Sequence, residues 1–513
     1  MARLGRRAAA DAQWARQPFH PYTFIPDLPP NTQGGISDAQ GLYPTSNGLR
    51  VQRIALIRAT GINETTIGWF SAVYPNDSHY IYVGTAHHLW QLTGTTFTEN
   101  DSSQTFTGLD NPWVFAQVAD ITAATNGVDP IQAVTTPGGQ FSALAGSPPR
   151  GHIVSSADPG GTGYFLFVFN LLTDPQGWAC SGAGQPTSWP LDTSNLSATG
   201  TLGLTQGPVT AAAPLRGGVC AFKDNSFYFG QFIGTPYVWQ FQLVSPSQGV
   251  YGPYAVASAG DTLYFIGNDN IYSFDGFTLQ PVPNMVANWL LTQSLDINHA
   301  DKIIGSYDSA NDLVIFRYPS INASPLGTLD TKLLWHRKSG RWCIDHETVQ
   351  GAVQSNLPTV SGTTYGQMTT TYPTYGAIIP GTTYGILAAP GSRTTAQGIF
   401  KDDNNLYLYN GPFRQNSTYF ITNDIGTYER QTAIYRTRLT WSIFSFAGLM
   451  QVLGMGKNIE GTSPSPLSPL TTMDAKGFFD FRQTARWNDL QYFVTDNAEI
   501  TGHEVLVTDG GWQ

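Results

Sequence analysis

The stretch GVYGPYAVASAGDTLYFIGNDNIYSFDGFTLQ, Gly249 to Gln280, decides how the chain is read. It holds three short apolar and aromatic strands: Tyr254 to Ala257, Thr262 to Ile266 and Ile271 to Phe274. Between them stand Ala-Gly-Asp and Asn-Asp-Asn, with Asp275-Gly276 after them, residues that tolerate positive φ or hydrogen-bond their own backbone. Strands of this length joined by tight turns make a small antiparallel sheet, which is not stable alone. It must pack on others like it.

The same phrase recurs along the chain. It stands at Tyr80 to Gly84 with His88 to Gly94, and at Asp224 to Phe229 with Val238 to Leu243. It returns at Asp312 to Phe316 with Lys332 to His336 and Gly340 to Trp342, and again at Asn405 to Gly411. Trp113 to Val118, Ile121 to Thr125, Ile131 to Val134 and Tyr164 to Phe169 add further strands, with alternating or continuous apolar character. The expected fold is therefore all-β, a β-propeller of about six to eight blades with long inserted loops and an extended N-terminal arm. The copies are unevenly spaced and carry no WD or kelch signature.

Working outward, residues 1–30 read as a basic, then Pro-rich N-terminal arm, with Arg3, Arg6, Arg7 and Arg16 ahead of Pro18, Pro21, Pro26, Pro29 and Pro30. Residues 31–359 read as propeller blades. Residues 360–399 read as a projecting loop in which Thr-Tyr-Gly recurs at 364–366, 374–376 and 383–385. The strands of 400–513 are expected to complete the propeller, interrupted by a Pro/Ser loop at 456–472. One helix is expected at Asn284 to Ser294, where Met285, Trp289 and Leu290 follow Pro283.

Composition narrows the class. Charged residues are 12% of the chain, about half the usual share, and 54 Gly and 33 Pro stand in their place. With 41% apolar and 13% aromatic residues the chain can bury a core, which argues against disorder. A net charge of −10 with no basic cluster beyond the N-terminus argues against a protein that grips nucleic acid. Cys180, Cys220 and Cys343 lie far apart without a CxxC pair and read as core residues. No signal peptide and no membrane-length apolar run is read.

Catalytic chemistry finds little footing. No Walker loop, GxGxxG, GxSxG or HExxH is present. His87 and His88 are adjacent, and neighbours in a strand or turn point apart, which is poor geometry for a shared metal. Asn268-Asp269-Asn270 and Asp402-Asp403-Asn404-Asn405 offer oxygens for calcium but lack its ordered ligand spacing. Propeller glycosidases set carboxylates around a central mouth. Asp261, Asp275, Asp308, Asp312 and Glu429 are the candidates here, although Asp beside Gly or Asn is also what turns use. Tyr264, Tyr272, Trp335 and Trp342 either stack on a ligand or fill the wedge between blades. No catalytic, cofactor-binding or metal-binding residue is assigned, and no enzyme activity or cofactor is expected.

The segment AGDTLYFIGNDNIYSFDGFTLQPVPNMVANWLLTQSL, Ala259 to Leu295, resembles the central motif of the tail nozzle (tail hub, or tail tube) proteins of short-tailed, podovirus-like bacteriophages. A return strand at Ser306 to Phe316 and a Trp strand at Leu333 to Trp342 follow in the same order. Upstream, Gly177 to Gly182 with Gln185 to Trp189 is similar to the family's strand, gap and Pro-Thr-x-Trp phrase. Phe222 to Ser226 through Gly234-Thr235-Pro236 is similar to its next strand and turn. Asn31 to Gly48 and Arg482 to Val507 resemble the family's opening and closing segments. The likeness touches most of 31–508 and rests on the order of five weak motifs. The basic start and residues 360–396 depart from it.

The resemblance implies a structural virion protein of the tail, assembled in the host cytoplasm. Its subunits would form a hexameric ring distal to the portal and its adaptor (head-to-tail connector) protein. That ring would bound the DNA ejection channel, carry tail fibres or spikes and be held shut by a distal plug or needle. Double-stranded DNA would pass without specific binding. The alternative is a carbohydrate-binding or glycoside-hydrolysing β-propeller, and a third reading is an interaction propeller serving as a cellular scaffold.

Overall fold

The computed structural model describes residues 12–102, 104–109, 111–189, 194–355, 396–414, 418–426, 431–443, 450–459 and 462–509. Seven four-stranded antiparallel sheets, six of them simple meanders, account for the middle of the chain. Their first strands are Thr66–Val73, Val114–Val118, Gly151–Ala157, Ala211–Leu215, Val256–Ser258, Ile304–Asp308 and Gly351–Ser355. Each of these touches the next, and Gly351–Ser355 touches Thr66–Val73, so the circle closes. The fold is a seven-bladed β-propeller, with blade 1 at 66–99, blade 2 at 114–143, blade 3 at 151–201, blade 4 at 211–245, blade 5 at 256–281, blade 6 at 304–349 and blade 7 from 351 onward.

Aromatic wedges hold neighbouring blades together. Between blades 5 and 6, Tyr264 meets Trp335 edge-on at 5.4 Å and Trp335 stacks on Trp342 at 5.7 Å. Between blades 4 and 5, Phe227 meets Phe274 at 5.2 Å, and between blades 3 and 4 Phe167 meets Trp239 at 4.9 Å. Trp113 fills the gap between blades 1 and 2, its indole N–H donating to the Thr85 carbonyl at 2.9 Å. That gap exists because residue 84 is glycine: a Cβ there would stand 2.2 Å from Trp113 Cδ1. Fully buried, interlocked rings of this kind leave little room for a change of volume.

The ring is closed by a strand from near the start of the chain. In blade 7 the order is Gly351–Ser355, Ala396–Phe400, Leu406–Leu408 and then Leu56–Ala59. The expectation that 400–513 completes the propeller is thereby corrected, because only Phe400 and Leu406–Leu408 of that stretch belong to a blade. The expected projecting loop at 360–399 falls largely outside the described residues, and its last few residues are part of the strand Ala396–Phe400.

The remaining strands make two further sheets that pack face to face. One contains six strands, ordered Leu42–Pro44, Leu49–Val51, Glu499–Asp509, Thr432–Ile443 and Phe479–Ala485, with Gln13–Pro18 also paired to Glu499–Asp509. The other runs Ile36–Gln40, Tyr419–Thr422, Trp487–Phe493, Gln451–Lys457 and Ser465–Pro466, with Ile425–Gly426 and Thr471–Thr472 paired on its flanks. Ile434, Phe479 and Val505 of the first face Phe420, Val452 and Tyr492 of the second in one core. This is a β-sandwich built from both ends of the chain. The expected Pro/Ser loop at 456–472 includes two short edge strands of it.

The N-terminal arm is likewise corrected. Gln13–Pro18 is a sandwich strand, and the irregular run after it buries Phe19, Phe24 and Ile25. Proline does forbid regular structure from 19 to 35, yet the segment is tied down along blade 6, where Trp342 N–H donates to the Tyr22 carbonyl at 2.8 Å. Residues 1–11 lie outside the described residues. The expected helix is one α-helical turn, Ala287–Trp289, widening into a π-turn, Leu290–Ser294. Its free N–H groups at Asn288 and Trp289 donate to the Asp27 carboxylate at 3.1 and 2.6 Å, so the arm supplies the cap. No helix among the described residues is long and apolar enough to cross a membrane.

Candidate functional site

The propeller axis has two unlike ends. At the end where the first strands begin, Tyr254 leads into blade 5. Its hydroxyl donates to the Trp113 carbonyl and accepts from the Trp69 N–H at 3.2 Å. In a ring of seven, blade 5 stands opposite the junction of blades 1 and 2. One phenol therefore spans the axis, its ring 5.5 Å from that of Trp69. At the other end a cavity of about 560 Å³ opens among the turns after the first strands, lined by Gln117, Asp158, Tyr164, Arg216 and Ser258. Its rim carries an Arg216–Asp261 ion pair at 2.8 Å that links blades 4 and 5.

The sequence candidates disperse over this body. Asp261 is the partner of Arg216. Asp275 accepts from the Phe277 and Thr278 N–H groups at 2.9 and 2.8 Å, which holds its carboxyl below the usual range. Asp308 accepts from Ala310 and Asn311 within its turn. Asp312, in the left-handed region at φ 54°, accepts from the Tyr307 hydroxyl and lies 3.5 Å from Arg337. Glu429 lies outside the described residues. Every described carboxylate of that set thus does the work of a turn or an ion pair. The Asx knots behave alike: Asp269 accepts from Tyr272, and Asp403 from Asn405 and Tyr407. Tyr264, Trp335 and Trp342 are buried interblade wedges, while Tyr272, half-buried, stacks on Phe265 within blade 5. The three cysteines are buried and unpaired.

His87 and His88 do turn apart, their ring centres 6.5 Å from each other. His87 faces Glu64 at 3.2 Å, whereas His88 Nδ1 faces Asp101 Oδ2 at 3.0 Å. His88, Glu99 and Asp101 bring ligand atoms within 4.8 Å of one another, the single such group of three among the described residues. A divalent ion is the chemistry that donor set suits. The signal was hidden because the partners sit across a hairpin rather than beside the histidine.

Among the described residues, the densest charge cluster lies where blades 6 and 7 meet the sandwich. Lys332, 1% exposed, sits 2.8 Å from Asp345 and 3.1 Å from Glu347. Glu347 also receives the Tyr409 hydroxyl and faces Lys401 and Arg414, each at 3.7 Å. Burial alone would raise its carboxyl, but Lys332 and the Tyr409 hydrogen bond overcome that and bring it down to about 2. Asp345 accepts the Gly41 N–H at 2.8 Å, which ties the sandwich linker to blade 6.

A second buried acidic group sits inside the sandwich. Asp489 is buried beside Asp424, which is itself paired with Lys457 at 3.0 Å. Burial, then the hydrogen bond and charge of Asp424, push the Asp489 carboxyl far above the carboxylate range. Its folded value exceeds its unfolded one, so its contribution to stability is greatest in acid and drains as pH rises toward the folded value. Asp489→Asn is expected to flatten the fall in thermal midpoint between about pH 4 and pH 8. Equal slopes for the two proteins, in a melt followed by circular dichroism at each pH, would sink this account.

No protein-family model matches the chain, and no curated protein matches it. A solved structure described as YCF48 bound to D1 peptide superposes on 73% of this chain and 99% of its own length, at 9% identity and a TM-score of 0.37. The propeller assignment stands on the strand pairing and the closure of the ring, not on that likeness.

Proposed function

We propose that this chain is a structural subunit of the tail nozzle of a short-tailed bacteriophage. In this reading a hexamer follows the portal and its adaptor, receives fibres or spikes on its outside and is shut by a distal plug until DNA is ejected. The observation that carries it is the order of motifs from Ala259 to Trp342, a stretch that spans blades 5 and 6 and the helical turn between them. A charge-poor body walled by sheets suits a rigid conduit, and a net charge of −10 suits a wall that phosphate must slide past. A duplex whose major groove alone is about 12 Å wide cannot pass an axis spanned by one tyrosine. The conduit in this reading therefore runs between subunits, and head-to-tail contacts under rotational symmetry close the ring.

Electron microscopy of the purified chain and of the intact virion tests the reading. Sixfold rings are expected, with the propeller discs forming the wall. A compact monomer in isolation, together with a virion that lacks the chain, would remove it.

A further inference from the structure

The charge cluster at the junction of blades 6 and 7 adjoins a cavity of about 590 Å³. Its lining combines Arg50, Arg53, Arg317 and Lys332 with a single acid, Asp308. The excess stands out in a chain with 36 acidic and 26 basic residues. Asp308 is occupied by its own turn, and the charge of Lys332 is met by Asp345 and Glu347. None of the three guanidinium groups has a carboxylate within 4.0 Å among the described residues.

Strand register makes the imbalance sharper. Arg317 stands directly opposite Lys332 on the neighbouring strand, and Lys332 directly opposite Asp345 on the next. Directly opposed residues share a face of the sheet, and like charges so placed repel. Arg317 is 2% exposed, so its charge is withdrawn from water. Its hydrogen bonding among the described residues consists of Nη1 to Ser306 Oγ at 3.1 Å, and Nε is buried without a partner. Arg50 stands opposite Glu499 on the neighbouring strand, yet it too has a single side-chain hydrogen bond, Nη2 to Asn497 at 2.8 Å, and an unpartnered Nε. Arg53 gives one N–H to the Gly411 carbonyl and lies over the Phe413 ring at 4.6 Å. A guanidinium offers five N–H donors in a fixed fork suited to oxyanions. A buried one left uncompensated is costly.

We propose that this cavity is a binding site for a small oxyanion, a carboxylate- or phosphate-bearing compound. Its charged group would sit between Arg317 and Arg53 in bidentate contact, and its apolar part against Leu313, Ile315 and Phe413, which share the lining. The inference does not rest on the nozzle reading. An anion there meets the charge of Arg317 and so locks blade 6, blade 7 and the sandwich linker to one another.

The full chain is titrated with inorganic phosphate, pyrophosphate and citrate at constant ionic strength, against chloride, by calorimetry and by thermal midpoint. Saturable binding with one site per chain is expected, and the ranking of phosphates against citrate identifies the source. Arg53→Gln, at an exposed position, is expected to keep the fold and weaken binding about tenfold or more. Arg317→Gln is expected to abolish it. Binding that never saturates, or that Arg53→Gln leaves unchanged, overturns the site even where Arg317→Gln fails to fold.

Discussion

Replacing Lys332 by methionine is expected to cost the folded chain about 3–5 kcal/mol, because it removes one partner of a buried ion cluster and leaves the others. Asp345 is fully buried and Glu347 nearly so, and both carboxylates have the ammonium as their nearest cation. The contact with Asp345 is close at 2.8 Å but is a Coulombic one, since Asp345 Oδ2 has no directed hydrogen bond. Without the lysine, Glu347 keeps Arg414 and Lys401 at 3.7 Å, but Asp345 loses its one ion-pair partner among the described residues. The sign of the pH dependence follows. Glu347 is held at about 2, below its unfolded value near 4.5, so its contribution is present above that value and is lost as pH falls toward 2. Lys332→Met should erase much of this acid sensitivity. The triple variant Lys332→Met, Asp345→Asn, Glu347→Gln tests the cause, because it removes the charges together and should recover most of the loss. If single and triple variants melt alike in urea, then packing and not charge is what Lys332 supplies.

How much of this was legible in the sequence depends on how local each feature is. Blade 5 reads directly from Tyr254 to Phe274 because its turns and its strands lie within one short segment, and the pairing links neighbours in sequence. The helical turn after Pro283 was legible for the same reason. The closing strand Leu56–Ala59 was not, since its partner Leu406–Leu408 lies far away in sequence and its own side chains alternate weakly. The C-terminal strands carry the period of two that marks any half-buried strand, and that period names no partner. Only pairing shows that Glu499–Asp509 joins Gln13–Pro18 and Thr432–Ile443 rather than a blade. The basic cavity was illegible for a related reason. Arg317 near the end of an apolar strand, and Lys332 before Leu333, each read as a polar position on a strand. Register across two hairpins places them side by side.

The same non-local pairing makes the first sixty residues indispensable, and a chain that starts at residue 61 is expected not to fold as a unit. Such a chain lacks the outer strand of blade 7 and four strands of the sandwich, Gln13–Pro18, Ile36–Gln40, Leu42–Pro44 and Leu49–Val51. Phe19, Phe24, Ile36, Leu42, Leu49 and Val51, all buried, would go with them. At about 1.5–3 kcal/mol for each large apolar side chain, the loss is on the order of 10 kcal/mol. That is comparable to the whole stability of an ordinary domain, about 5–15 kcal/mol. The damage should be uneven. Blades 2 to 4 pair only with themselves and their neighbours, so their amides should keep protection in hydrogen exchange. Protection should vanish from Ala396–Phe400, Tyr419–Thr422 and Thr432–Ile443, whose sheets have lost an edge or a centre. Residues 1–60 supplied as a separate chain should restore it, because the strands associate through pairing and burial rather than through the covalent link at residue 60. Protection in the truncated chain equal to that of the full one would mean that the sandwich and the seventh blade hold together without the strands that complete them.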